Sequence, residues 1–359
     1  MQQNTVNKIV KVINQSIQKN DIYGASYSLI GKNENLKTYV GYQGNENDHI
    51  PLSSGMMYDL ASVSKVIGTT TRIFQLIANN QLSLDSKVGE YLSDVSYPKI
   101  KIKNLLLHES GLQSDFDNVH SMSKVELIKK VKCAPLIYTP GSRTVYSDLN
   151  YILLGWIIEK IDQIPLTEDL STHIFQQLDM NNTTYSPHNI RLSQFIPTEY
   201  QKDRGGIIRG QVHDYKAYLL DGVSGHAGLF STLDDLSQFA QVFLNGGKYN
   251  NVQIFPEIMY TLLKDKEYRH DDRALGWELW DSNKNMLWHS GFTGTSIALN
   301  LDNNEGFICL TNRIYPTRKK MGWIQERRKS LSYFFNEKEE IKKLVHILKK
   351  LRAAKKRSH

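Results

Sequence analysis

Ser62 and Lys65 stand three residues apart in Tyr58-Asp59-Leu60-Ala61-Ser62-Val63-Ser64-Lys65-Val66, where an extended approach meets an apolar-periodic run. On a helix, residues at that spacing share a face, so the Ser62 hydroxyl and the Lys65 amine can meet. The first turn of a helix also favours a nearby anion. A serine nucleophile beside an amine base is what acyl transfer requires. The spacing alone is common, however, and recurs at Ser16/Lys19, Ser96/Lys99 and Ser121/Lys124. Ser96/Lys99 encloses Pro98, Ser16/Lys19 falls late in a polar-faced helix, and Ser121 or Ser123 caps the helix beginning near Lys124. Only Ser62 leads into a long buried stripe (Val66, Ile67, Thr70, Phe74, Ile77), where its bland alternative role is again a helix cap.

Other residue types point elsewhere or nowhere. His108-Glu109 begins like a zinc-hydrolase helix, but Gly111 and Leu112 follow where a second histidine is needed, so a turn is expected. His213-Asp214 and His226 could approach the pocket through the long loop, though structural hydrogen bonding is the favoured expectation. Cys133 and Cys309 read as free thiols without a metal pattern. The chain has no phosphate-cradling glycine loop and no nucleotide fingerprint. Neither a metal nor a cofactor is expected.

The elements that must hold Ser62 follow from pattern. Val6, Ile9, Val10, Ile13 and Ile17 predict a helix over 6–19. Strands are expected at Ala25–Ile30 and Leu36–Tyr42 around the turn Gly31–Glu34. His108–Leu112 ends a short helix in a glycine stop, and Asn150–Asp162 is apolar on most faces, as a central buried helix would be. Pro187–Ser224 is a polar loop of a length more often functional than accidental. Thr232 with Asp235 starts a helix whose stripe is Leu233, Leu236, Phe239, Ala240 and Phe243. An antiparallel meander follows at Ala274–Trp280, Met286–Ser290, Thr295–Leu301 and Gly306–Thr311. Strands at both chain ends predict one sheet built from the two termini.

The 359 residues, 40% apolar and 23% charged, suffice for a sizeable core. Net charge is +7, but Glu337–His359 contributes nine Lys/Arg and three Glu, leaving +1 for the rest. Basicity confined to a tail argues against nucleic-acid binding. In that tail Ile341, Leu344, Val345, Leu348 and Leu351 alternate with lysines as an amphipathic helix, either packed on the body or in peripheral contact with anionic membrane. With no secretory pattern and no spanning run, a cytoplasmic location is expected.

Three motifs in order resemble the serine β-lactamase and penicillin-binding protein superfamily, in its class C-like branch. They are Ser62-Val63-Ser64-Lys65, Tyr146-Ser147-Asp148 and His289-Ser290-Gly291. Leu106–Leu112, Gly225–Thr232 and Thr311-Asn312-Arg313 are similar to secondary landmarks of that branch. The resemblance covers roughly residues 5–335 and implies an α/β fold of the α+β type. In it a terminal antiparallel sheet is flanked by helices, with a helical region inserted at about 61–273 and the basic tail from 336 lying outside.

The resemblance implies that Ser62 forms an acyl-enzyme while Lys65 and Tyr146 relay its proton, which predicts a Lys65 pKa depressed by burial. Backbone N–H groups of Ser62 and Phe292 are the implied oxyanion donors. Asp148, His289, Ser290 and Gly291 would line the substrate. Two positions depart from the family pattern. Asp148 stands where asparagine is usual and could pair with Lys65. His289 stands where lysine often anchors a carboxylate, and is only partly charged near neutrality. The literal Tyr249-Asn250-Asn251 is expected to be a surface turn. The implied function is serine hydrolysis of a small ester or D-amino-acid-type amide or peptide, with a β-lactamase or D-alanyl-D-alanine carboxypeptidase as the alternative. A non-hydrolysing receptor for cell-wall ligands is the alternative of another class.

Overall fold

The structure, a computed structural model, describes residues 1–32, 34–280 and 285–335. Strands Gly24–Ile30 and Asn35–Gly41 form a hairpin close to the expected bounds. The free edge of Gly24–Ile30 pairs with Glu305–Leu310 from the other end of the chain, Ser26 facing Leu310 and Ile30 facing Gly306. Ser296–Asn300, Met286–Ser290 and Trp277–Leu279 then follow in antiparallel order, and Arg273–Ala274 and Arg269–His270 complete eight strands. The expected strand Ala274–Trp280 is therefore two short strands, because the chain reverses at Leu275–Gly276 with φ of 34° and 98°.

This sheet separates two apolar layers. On one face lie the helices Gln3–Gln18 and Gly322–Phe334, which pack on each other. They bury Ile9, Ile13, Trp280, Trp323 and Phe334. The helix Gly322–Phe334 is not apparent in the sequence pattern, since its apolar residues are few and its first turn is uncapped. On the other face lies the inserted helical region, including the helix Leu233–Leu244. Leu236, Phe239, Ala240 and Phe243 of that helix are at most 1% exposed, and each large side chain so buried contributes about 1.5–3 kcal/mol. Its first turn is capped as expected, Thr232 Oγ1 accepting from the Asp235 N–H at 3.2 Å.

The central helix runs Asp148–Asp162, with Leu149, Ile152, Leu153, Ile157 and Ile158 all fully buried. A short helix earlier in the chain, Ile102–Leu106, ends at left-handed His108 (φ 57°) rather than at the expected glycine, Gly111. The 187–224 stretch is mainly irregular, as expected, with the helix Tyr215–Leu219 inside it. Tyr249-Asn250-Asn251 is a hairpin turn between Lys248–Tyr249 and Val252–Gln253. The basic tail lies outside the described residues. No described helix is long and apolar enough to cross a membrane.

Candidate active site

Ser62 does not open an α-helix. After the strand Tyr58–Asp59 the chain makes a 3₁₀ turn, Ala61–Val63, then a π-helical segment, Lys65–Thr70, and becomes α-helical only at Thr71–Ala78. Ala61, immediately before the serine, has φ of 46°, a conformation that costs a non-glycine residue about 1–3 kcal/mol. Asp59 holds that turn: its carboxylate accepts from Ala61 N–H at 2.8 Å and from His213 N–H at 2.6 Å. Ser62 and Lys65 still meet, with Nζ 2.9 Å from Oγ. The i, i+3 expectation holds, though the helix beneath it is not of the type predicted.

Lys65 is fully buried and also donates to Asp148 Oδ1 at 2.8 Å and to the His226 carbonyl at 3.0 Å. The carbonyl reaches it because Gly225 abuts the central helix, where a Cβ would lie 2.1 Å from the Tyr151 carbonyl oxygen. Asp148 stands at the amino end of that helix, so the helix positions the lysine's counter-ion. Here the depressed lysine pKa expected from sequence is corrected. Burial does favour the neutral amine, but the Asp148 and Tyr146 oxygens outweigh it, and the pKa lies above the ordinary lysine value. Asp148 is in turn held below its ordinary value, Lys65, His226 and Lys216 together overcoming burial. At rest the pair is an ammonium and a carboxylate.

Tyr146 lies over the same lysine, with Nζ 5.1 Å from its ring centroid. Its neighbour on the other side is the buried His108 ring, at 4.5 Å. Burial raises the Tyr146 pKa more than Lys65 lowers it, so the resting group is a phenol. His108 is held neutral by burial and by Arg273 and Lys65.

The third motif reaches the serine through the turn after Met286–Ser290. Thr293 Oγ1 donates to the Asp59 carbonyl at 2.8 Å and Thr295 Oγ1 to the Leu60 carbonyl at 2.9 Å, clamping this turn against the approach to Ser62. Gly291 permits the contact, since a Cβ there would lie 2.4 Å from the Leu60 oxygen. The Phe292 N–H donates to no backbone acceptor among the described residues. His289 is 1% exposed, and burial with Lys65 and Arg273 nearby holds it well below its ordinary pKa. It is thus uncharged, where partial charge was expected from sequence. Its Nδ1 lies 3.1 Å from the Ser290 carbonyl, which can only accept, so Nδ1 carries the proton and Nε2 is left as an unpaired buried acceptor.

Ser62, Tyr146, Asp148, His289, Ser290, Gly291 and Phe292 share one cleft of about 770 Å³, with Lys65 beneath Ser62. Lys216 and Arg313 also line the cleft and Asp59 supports its floor, and none of the three has a role assigned from sequence. Asp59 and Lys216 are buried polar groups, for which a sequence offers no distinctive signal. Arg313 lay within a landmark, Thr311-Asn312-Arg313, but without an assigned role. It is 4% exposed, forms no hydrogen bond or ion pair among the described residues, and leaves Nη1 buried and unpaired. The Phe292 ring covers it, with Cζ 4.7 Å from the centroid. Neighbouring Arg318 is committed to Glu199, and Arg327 donates to the Gly291 and Thr295 carbonyls. His213 meets Glu199 and His226 meets Asp214, and His213 and Asp214 also line the cleft, so the long loop does approach the site.

A terminal sheet with an inserted helical region, joined over a buried Ser-x-x-Lys pair, defines a serine hydrolase of the β-lactamase and penicillin-binding protein class. The chain belongs to the β-lactamase family, whose model matches residues 9–330. It is 32% identical over 317 residues to an N-acetylmuramyl-L-alanine amidase from Bacillus subtilis, covering 76% of this chain and 72% of the relative. It is 33% identical over 307 residues to a Salmonella heidelberg protein carrying the provisional name D-alanyl-D-alanine carboxypeptidase, covering 74% and 71% of the two chains. Among solved structures, a β-lactamase/D-alanine carboxypeptidase from Pseudomonas syringae superposes with a TM-score of 0.74 at 18% identity, over 93% of this chain and 99% of that one.

Proposed function

We propose that Ser62 is the nucleophile of a hydrolase for amides or esters that carry a carboxylate, with D-amino-acid-type or cell-wall peptides as the leading class. The observation that carries the nucleophile is the contact of Ser62 Oγ with Lys65 Nζ at 2.9 Å in a cleft that also contains Tyr146 and the third-motif turn. With Lys65 as free amine, Ser62 Oγ attacks the carbonyl carbon and its proton passes to Nζ. The resulting ammonium returns a proton, through Tyr146, to the leaving nitrogen or oxygen as the scissile bond breaks. Water then enters and releases the acid. In this reading the Ser62 and Phe292 amides receive the oxyanion, and losing one such donor costs about 2.7–4 kcal/mol of barrier.

Because Lys65 rests as an ammonium, activity rises with pH as that proton is lost. The preference for an acid rests on Arg313, a buried guanidinium beside the cleft with no hydrogen-bond or ion-pair partner among the described residues. One uncommitted cation suits a monoanion, and a carboxylate fits its two-pronged donor face. Names of the amidase and carboxypeptidase relatives support amide bonds of peptides.

Hydrolysis of p-nitrophenyl acetate and of the mono-p-nitrophenyl ester of glutaric acid tests both parts. A kcat/KM about 10-fold or more in favour of the acid ester, erased in Arg313→Met, is expected for a charge-assisted contact. Equal values would remove the carboxylate preference. Inactivity on both, or activity surviving Ser62→Ala, would remove the nucleophile assignment.

A further inference from the structure

Asp148 touches two buried lysines. Its Oδ1 accepts from Lys65 at 2.8 Å, and its Oδ2 lies 3.2 Å from Lys216 Nζ. Lys216 is 3% exposed and sits on the helix Tyr215–Leu219, in the loop whose length alone suggested a function. Its ammonium is held by both Asp115 oxygens, at 2.9 and 3.0 Å, and faces Asp214 at 3.7 Å. Asp214 in turn meets His226 Nε2 at 2.7 Å, and His226 Nδ1 meets Ser224 Oγ at 2.8 Å. The groups facing Lys65 and Asp148 from the neighbouring described segments are Ser62, Tyr146, Tyr151, Lys216, Asp214 and His226, with Arg273 beyond Tyr146 and the uncharged His108 and His289 at longer range.

A lone Asp148 would be a poor partner for a lysine that must lose its proton. Once Lys65 became neutral, the carboxylate would be buried and uncompensated, a costly state. The second lysine removes that difficulty.

We propose that Lys216 is a positioning residue for Lys65. By binding the far oxygen of Asp148 it keeps the aspartate in place and charge-compensated whether or not Lys65 is protonated. Asp115 sets how much of that cation Asp148 receives, because it competes for the same Nζ. Lys216 touches no reacting atom and acts only through Asp148. This role rests on the acyl-enzyme reading of Ser62 and Lys65 and concerns when that pair is competent.

The test is the pH dependence of acylation by p-nitrophenyl acetate in the full-length protein. In Lys216→Met the negative charge of Asp148 falls on Lys65 alone, so the acidic limb moves to higher pH by one unit or more, a 10-fold loss below the limb. Lys216→Arg restores it. Asp115→Asn, at the half-exposed end of the cluster, moves the limb the opposite way, because Lys216 then gives more of its charge to Asp148. A uniform loss of rate with an unmoved limb, or shifts of the same sign in both variants, would overturn the proposal. If Lys216→Met does not fold, the sign of the Asp115→Asn shift decides. Titration of the Lys65 Nζ signal by lysine-selective ¹⁵N NMR, assigned by its absence in Lys65→Gln, requires no substrate. The same order of shifts there without any acylation would refute the acyl-enzyme reading and leave the positioning role standing. Absence of that order would refute the positioning role itself.

Discussion

The two walls of the cleft treat buried charge in opposite ways. On the Asp148 wall each cation is answered: Lys65 and Lys216 share Asp148, and Asp115 and Asp214 complete the set. On the Phe292 wall Arg318 has Glu199 and Arg327 has backbone carbonyls, but Arg313 has only an aromatic ring. Neutralised charge of the first kind holds a geometry. An unanswered guanidinium costs stability in the free protein and is repaid by an anion. In the proposed reading, the contrast separates the part of the site that performs proton transfer from the part that selects what is bound.

The contrast breaks most severely at Asp148. Asp148→Ala leaves two buried ammoniums facing each other, and a loss of about 3–5 kcal/mol in urea unfolding is expected for a broken buried pair. A loss under 1 kcal/mol would mean that the wall is not electrostatically built. Asp148→Asn keeps the shape and removes the charge. Its Lys65 pKa falls, so the acidic limb of acylation moves down by about one pH unit or more, a 10-fold gain below the limb. An unmoved limb would deny Asp148 its role as counter-ion. On the other wall the sign of the stability change reverses: Arg313→Met removes a buried unpaired donor and raises stability by about 1 kcal/mol while lowering activity on the acid ester. Destabilisation would show that Arg313 is answered after all.

The smallest effect is the acid slope of stability. His108 and His289 are held neutral when folded and protonate freely when unfolded, so protons favour the unfolded chain. Stability therefore begins to fall below about pH 6.5, the unfolded histidine value. Asp148, with its depressed pKa, keeps its contribution down to about pH 4 and loses it only as pH falls further. Denaturant midpoints at pH 7, 5.5 and 3 resolve the two windows. A flat profile across all three would contradict the neutral histidines.

Much of this arrangement was legible in residue order. Turn chemistry at their ends places the strands, which need not alternate because the sheet is covered on both faces, and the meander fell within a few residues of its observed bounds. The pairing of Ser62 with Lys65 followed from spacing, and Asp148 beside Lys65 from the motif. The π-helical segment after Ser62 was not legible, since a wider turn leaves the same apolar stripe as an α-helix. Nor was the Lys65 protonation state. Burial alone predicted a low pKa, and the answer depended on a carboxylate 83 residues away at 2.8 Å. Lys216, Asp59 and Arg313 act through who faces them, which composition and period do not encode.

The most direct test is intact-protein mass during reaction with p-nitrophenyl acetate, wild type beside Ser62→Ala. The expected result is a transient acetyl adduct on wild type that grows faster as pH rises and is absent from the variant. An adduct of equal size on both proteins, or none on wild type at any pH, would contradict Ser62 as the nucleophile.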